Sequence, residues 1–340
     1  MRRSAPTVEE LAEGVRAGQR TLLARAITLV ESNRPDHHAK ARELLSVLRP
    51  YTGNAIRVGI SGVPGVGKST FIDSMGCYLI DQGYKVGVVA VDPSSQRTGG
   101  SILGDRTRMA KLSMRDEAFI RPSPSGGHLG GVARATRESM LLLEAAGYEV
   151  IIVETVGVGQ SEVAVADMVD TFLMLYLART GDQLQGIKRG ILELADVIAM
   201  NKADGGEQTT VALQAARELS GALRLMRSGD EIPPPLVLTC SGLHGIGLDE
   251  VWAAVLKHRE RLIKLGRLEE RRATQQRDWM WTMADEEITS LLRTGAAVKA
   301  IRAEVEADVA AGRISAVEGT EKVLAAFASD PKLATWREQG

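Results

Sequence analysis

Six short apolar runs punctuate the middle of the chain: "IRVGI" from residue 56, "VGVVAV" from 86, "EVIIVE" from 149, "FLMLYL" from 172, "DVIAM" from 196 and "LVLT" from 236. Five of them carry β-branched residues, all are too short for a buried helix, and longer stretches of helical periodicity separate them. Strands that are apolar throughout, rather than alternating, need cover on both faces. Intervening helices supply it, so the pattern predicts an α/β fold with a doubly wound, mostly parallel sheet. Ahead of the sheet, Val8, Leu11, Val15, Leu22, Leu23, Ala26, Ile27 and Val30 fall at helical spacing, with breaks at Pro35 and Pro50. Beyond residue 265 strand signals stop, and "LEERRATQQRDWMWTMADEEITSLLRTG" and "VKAIRAEVEADVAAGRISAVEGTEKVLAAF" read as amphipathic helices. The expected organisation is a helical extension over 1–55, a sheet domain over 56–265 and a helical arm over 266–340.

Directly after the first run stands "GVPGVGKST", Gly62 to Thr70. Gly62, Gly67, Lys68 and Ser69 match G-x-x-x-x-G-K-[ST], here between a strand and a helix, the context a phosphate-binding P-loop requires. Backbone N–H groups of Gly62, Val63, Pro64, Gly65, Val66, Gly67, Lys68, Ser69 and Thr70, proline excepted, would cradle phosphates. Lys68 would reach the β- and γ-oxygens, and the Ser69 hydroxyl would ligate Mg2+.

The base is read further along. "NKAD", Asn201 to Asp204, follows the fifth run. A carboxylate at Asp204 accepts from both N1–H and the exocyclic amine of guanine, two donors that adenine does not present together, so the site selects GTP and GDP. The Lys202 stem would lie along the base, and "TCSGL" after the last run places Cys240, Ser241 and Gly242 beside it.

Strand ends supply the remaining candidates. Asp92 closes the second run and opens a long Gly-rich segment that holds Asp105. Glu154 closes the third run, ahead of Gly157, where many GTPases carry Asp-x-x-Gly. The expected magnesium side is therefore Ser69, Asp92, Asp105 and Glu154, with Gly157 as γ-phosphate sensor and Lys68, Asp92 and Glu154 as the catalytic set. Turn or cap carboxylates are the competing reading of Asp92 and Glu154. Val158, not a glutamine, follows Gly157, which predicts slow intrinsic hydrolysis.

Together "GVPGVGKST", "VVAVDPSS", "ILGDRTRM", "VETVGVGQSE", "LQGIKRGILELAD" and "NKAD" resemble the family of methylmalonyl-CoA mutase-associated GTPases, the MeaB or ArgK type, over roughly residues 20 to 330. The resemblance implies a homodimeric, GTP-hydrolysing chaperone that binds adenosylcobalamin-dependent methylmalonyl-CoA mutase, gates cofactor loading and protects the mutase from inactivation, with the C-terminal helices as dimer contact. The loop after the fourth run departs from the family pattern: Ala178-Arg179-Thr180-Gly181-Asp182-Gln183-Leu184-Gln185 stands where members read Pro-Gly-Ala-Gly-Asp. Within it Asp182, Gln185 and Lys188 are candidates for coupling nucleotide state to the partner.

Composition narrows the alternatives. With 42 Lys+Arg against 43 Asp+Glu there is no basic footprint for nucleic acid or an anionic membrane. No run of about 18 apolar residues exists for a membrane span, and Glu9, Glu10 and Glu13 argue against an organelle transit peptide, so the expected location is the cytoplasm. Cys77 and Cys240 form no disulfide framework and are expected to be buried and inert. The alternative function, a nickel-inserting metallochaperone GTPase, requires a metal store. The five histidines are scattered, and adjacent His37 and His38 cannot face one ion from a helix.

Overall fold

The computed structural model describes residues 6–32, 34–91, 108–122, 129–155, 161–178, 189–226, 233–331 and 333. These form two compact units, Met1–Ala273 and Thr274–Gly340. The first opens with three helices, α1 (Val8–Arg16), α2 (Arg20–Val30) and α3 (Pro35–Leu48). Thr7 and Glu10 cap α1 reciprocally, and Pro35 starts α3 in the first turn, where its missing N–H costs nothing. The sheet strands are β1 (Ile56–Gly62), β2 (Val86–Val91), β3 (Ala118–Arg121), β4 (Val150–Thr155), β5 (Thr171–Leu177), β6 (Val197–Asn201) and β7 (Leu236–Thr239). Helices α4 (Lys68–Asp81), α5 (Leu129–Ala145), α6 (Ser161–Ala166), α7 (Arg189–Leu194), α8 (Gly206–Met226) and α9 (Leu248–Lys264) connect or follow them.

Seven strands lie in the order β3-β2-β4-β1-β5-β6-β7, and every pairing is parallel. The expected doubly wound sheet is present, with one strand more than the apolar runs announced. β3, "AFIR", is a four-residue edge strand paired to β2.

Strand residues divide by parity, as the period of two requires. Val89, Val91, Ile151, Val153 and Phe172 face α1–α3 and α5, whereas Val58, Ile60, Val86, Val88, Ile152 and Leu175 face α4 and α9. Burying each such side chain contributes about 1.5–3 kcal/mol, so both faces are firmly covered. β1 sits between β4 and β5, and its carboxyl end is the point where connections leave in opposite directions. In open parallel sheets that crevice is where ligands bind.

Beneath the sheet, at the amino ends of the strands, lies a buried charge network. Arg57 grips Glu144 through Nε–Oε1 at 2.7 Å and Nη2–Oε2 at 3.1 Å. Asp170, fully buried, accepts from the Arg57 backbone N–H at 3.1 Å and from Arg272 Nε and Nη2 at 2.8 and 2.7 Å. Arg271 reaches Asp196 at 3.3 Å, and His258 stands between Asp196 and the Thr171 hydroxyl. Burial lowers the His258 pKa, and the Asp196 carboxylate opposes the shift.

The helices after α9 are α10 (Arg267–Thr294), α11 (Ala296–Ala310) and α12 (Ala316–Ala328). Within the second unit α11 and α12 pack on each other, Gly319 sitting against Val309 and Val305. Ser315 and Glu318 form a capping box at the start of α12.

Candidate functional site

The P-loop turns out of β1 and enters α4 at Lys68. Two glycines make the turn possible. A Cβ on Gly62 would lie 2.4 Å from the Leu175 carbonyl oxygen, and Gly67, with φ 92°, would bring one within 3.0 Å of Asn201 Nδ2. Lys68 is 8% exposed, and its Nζ donates to the Gly62 carbonyl at 2.7 Å. Burial pulls its pKa below the usual lysine value, while the carboxylates of Glu154 and Glu162 oppose that shift. The ammonium is thus held under the loop in a negative field.

β4 pairs with β1 so that Glu154 stands opposite Ile60. From there the carboxylate meets the first turn of α4: Ser69 Oγ donates to Glu154 Oε1 at 3.0 Å. One residue on, the Thr155 hydroxyl donates to Ser61 Oγ at 2.8 Å, fixing the two strand ends together. Ser69 and Glu154 therefore present hard oxygen donors side by side, the chemistry that suits Mg2+.

On the other side, β6 and β7 deliver the loops that carry "NKAD" and "TCSGL". Asn201 is buried, and its side-chain amide donates to the Val66 carbonyl at 2.9 Å while its Oδ1 accepts from the Gly242 N–H at 2.9 Å. Cys240 Sγ lies 3.6 Å from the same oxygen. Burial and the Asp204 charge push the Cys240 thiol up to about 12, so it stays protonated. The Ser241 hydroxyl donates to Asp204 Oδ1 and accepts from the His244 N–H at 3.1 Å. Lys202 holds a left-handed φ of 65° and passes over the P-loop, its Cε 3.8 Å from where a Gly67 Cβ would be. The Ser74 hydroxyl of α4 donates to the Gly242 carbonyl at 2.6 Å, tying this loop to the phosphate helix.

The structure therefore brings Gly62 to Thr70, Glu154, Asn201, Lys202, Asp204, Cys240, Ser241 and Gly242 to one end of the sheet. Asp92, Asp105, Gly157, Asp182, Gln185 and Lys188 lie outside the described residues. One participant lies outside the expected set: Glu162, 3% exposed in the first turn of α6, adds charge beside Lys68. Ser241, expected beside the base, contacts the Asp204 carboxylate. One expectation fails: Cys77 is only partly buried, because it sits at the margin of α4 among Asp73, Asp81, Lys111 and Arg115.

Comparison with known proteins agrees with this geometry. The family described as methylmalonyl-CoA mutase-associated GTPase MeaB matches residues 23–297. A "probable GTPase" of Mycobacterium tuberculosis is 55% identical over 318 residues, 94% of either chain. The mouse "methylmalonic aciduria type A homolog, mitochondrial" is 42% identical over 95% of this chain and 80% of its own length. A crystal structure titled as an LAO/AO transport system kinase superposes with a TM-score of 0.73 at 39% identity, covering 96% of this chain and all of that one. A P-loop joined through Asn201 to an NKxD loop, on a chain matched from its second helix to its eleventh, has one reading: this protein is a GTPase and belongs to the methylmalonyl-CoA mutase-associated MeaB family.

Proposed function

We propose that this GTPase is a G-protein chaperone of adenosylcobalamin-dependent methylmalonyl-CoA mutase, gating cofactor loading and protecting the mutase from inactivation. The observation that carries the proposal is the match over residues 23–297 to a family described by its association with that mutase.

In this reading the triphosphate of GTP lies along Gly62–Thr70, with the Lys68 ammonium on its β- and γ-oxygens. Asp204, oriented by Ser241, reads guanine. Ser69 and Glu154 would hold Mg2+ together with Asp92 and Asp105. When bound, the metal neutralises charge on the phosphate oxygens. Lys68, already desolvated, trades its carbonyl partner for phosphate at little reorganisation cost. No side chain at Val158 can orient the attacking water, so the free protein hydrolyses GTP slowly and a partner is needed to accelerate it.

β5 ends at Leu177, at the same end of the sheet as the P-loop, and Asp182, Gln185 and Lys188, which follow it in sequence, are proposed to carry nucleotide state to the mutase. The protein is proposed to act in the cytoplasm as a homodimer. Exposed Met280, Trp281, Ile288, Val317 and Leu324 in the second unit give it an apolar surface suited to a second copy. Among the described residues no helix is long and apolar enough to cross a membrane.

The test is reconstitution with the mutase. GTP, but not a non-hydrolysable analogue, should permit adenosylcobalamin transfer, and the mutase should raise the hydrolysis rate. Alanine at Asp182, Gln185 and Lys188 together should abolish both effects while leaving GTP affinity unchanged. A mutase that neither binds nor stimulates the GTPase would overturn the proposal.

A further inference from the structure

The P-loop helix α4 carries a second set of contacts, facing away from the phosphates and toward residues 108–115. Asp73, 8% exposed, accepts the Leu112 backbone N–H at 2.7 Å, the first N–H of a single 3-10 turn over Leu112–Met114. One turn of α4 further on, the Leu112 side chain fills a notch that exists only because residue 76 is glycine. A Cβ there would lie 2.6 Å from Leu112 Cδ2. Met109 and Leu112 are buried in the core that holds α4. At the far end Arg115 Nη2 pairs with Asp81 at 2.9 Å. The segment is thus fixed to α4 at residues 73, 76 and 81, in register along the helix whose first residues are Lys68 and Ser69.

A surface salt bridge such as Arg115–Asp81 is worth little, and the Leu112 notch is generic packing. Asp73 differs. A carboxylate on an interior helix face has a desolvation cost that an alanine there would not have, and its described hydrogen bond goes to the backbone of this one segment. We propose that Asp73 is a positioning residue for GTP hydrolysis: by holding the Leu112 N–H it fixes residues 108–115 to the helix that carries Lys68 and Ser69. The proposal rests on the reading above, in which Asp105, just ahead of this segment in sequence, is a magnesium ligand.

Cys77 provides an internal reporter. It stands among Asp73, Asp81, Lys111 and Arg115, partly exposed, and the other cysteine of the chain, Cys240, is 1% exposed. Asp73→Ala should speed reaction of Cys77 with a chromogenic aromatic disulfide several-fold. It should also lower kcat for GTP hydrolysis about 10-fold, the scale of a small misplacement of reacting groups, with KM for GTP and the melting temperature nearly unchanged. Asp73→Asn keeps an acceptor oxygen and should restore both. Leu112→Ala, which empties the notch and leaves Asp73 in place, should move both readouts in the same direction and covers the case of Asp73→Ala failing to fold. An unchanged kcat in Asp73→Ala would overturn the proposal, as would loss of kcat, KM and melting temperature together without rescue by asparagine. A separate Mg2+ titration of Asp105→Ala tests the metal reading. Unchanged half-saturation there would retire Asp105 as a ligand and, with it, the route by which Asp73 acts, whereas a raised half-saturation beside an unchanged kcat in Asp73→Ala would overturn the Asp73 proposal alone.

Discussion

Glu138 offers a quantitative test of how the α5 face is held. It lies on α5 with its side chain 12% exposed, 4.0 Å from Arg134 Nε, and Arg134 Nη2 in turn lies 3.3 Å from His38 Nε2 on α3. Burial raises the Glu138 pKa from 4.5 to about 7, and the Arg134 charge offsets only part of that. The sign follows directly. Between these two values the folded state holds a proton that the unfolded state has released, so stability falls as pH rises from about 4.5 to about 7 and is level above. At about 1.4 kcal/mol per pKa unit, the ionised carboxylate costs on the order of 3 kcal/mol above neutrality. Glu138→Gln removes the titration and keeps the shape. The variant should therefore match the parent near pH 4 and melt about 5 °C higher at pH 8, using a typical unfolding entropy for a unit of this size. Differential scanning fluorimetry of both proteins from pH 4 to 8 measures the difference, which cancels the contribution of every other titrating group. A difference that stays flat across that range would refute the reasoning.

Two further outcomes follow from contacts already described. Asp204→Asn replaces acceptor by donor and should shift preference from guanine toward xanthine nucleotides, read as the ratio of GTP to XTP affinities by competition; an unchanged ratio would remove Asp204 as the base reader. Truncation should depend sharply on where it is made. A chain ending at Ala273 should bind GTP as a monomer by light scattering, whereas one ending at Leu265 loses Arg272, leaves Asp170 buried without its guanidinium and should be about 3–5 kcal/mol less stable by urea denaturation.

Legibility in the sequence tracks how local the signal is. Six of the seven strands and the P-loop are written in contiguous residues, the first as apolar runs, the second as a fixed glycine spacing. β3 is neither: four residues ending in Arg121, it becomes a strand only through its pairing with β2. Among site residues the motif members were legible one by one, but their mutual contacts were not. The partners of Asn201 lie 135 and 41 residues away. Glu162 sits on a six-residue helix whose place depends on Gly59 of β1, where any Cβ would meet Val165 at 2.8 Å. Asp73 and Arg272 read as ordinary helical charges until the fold brings Leu112 and Asp170 to them.

The Asn201 side chain has a consequence for how tightly the nucleotide is held. One amide joins the phosphate loop, through Val66, to the base loop, through Gly242, so the two recognition surfaces are fixed at one separation before any ligand arrives. A ligand that engages both then behaves as a bivalent one. Its second end docks at the effective concentration set by its first, and the protein spends no ordering entropy on bringing the halves together. GTP should accordingly bind far more tightly than guanosine and pyrophosphate supplied as separate fragments, and the excess is a property of the connection. Without that amide each half would still recognise its own fragment, but the advantage of their being one molecule would shrink toward that of a loose tether.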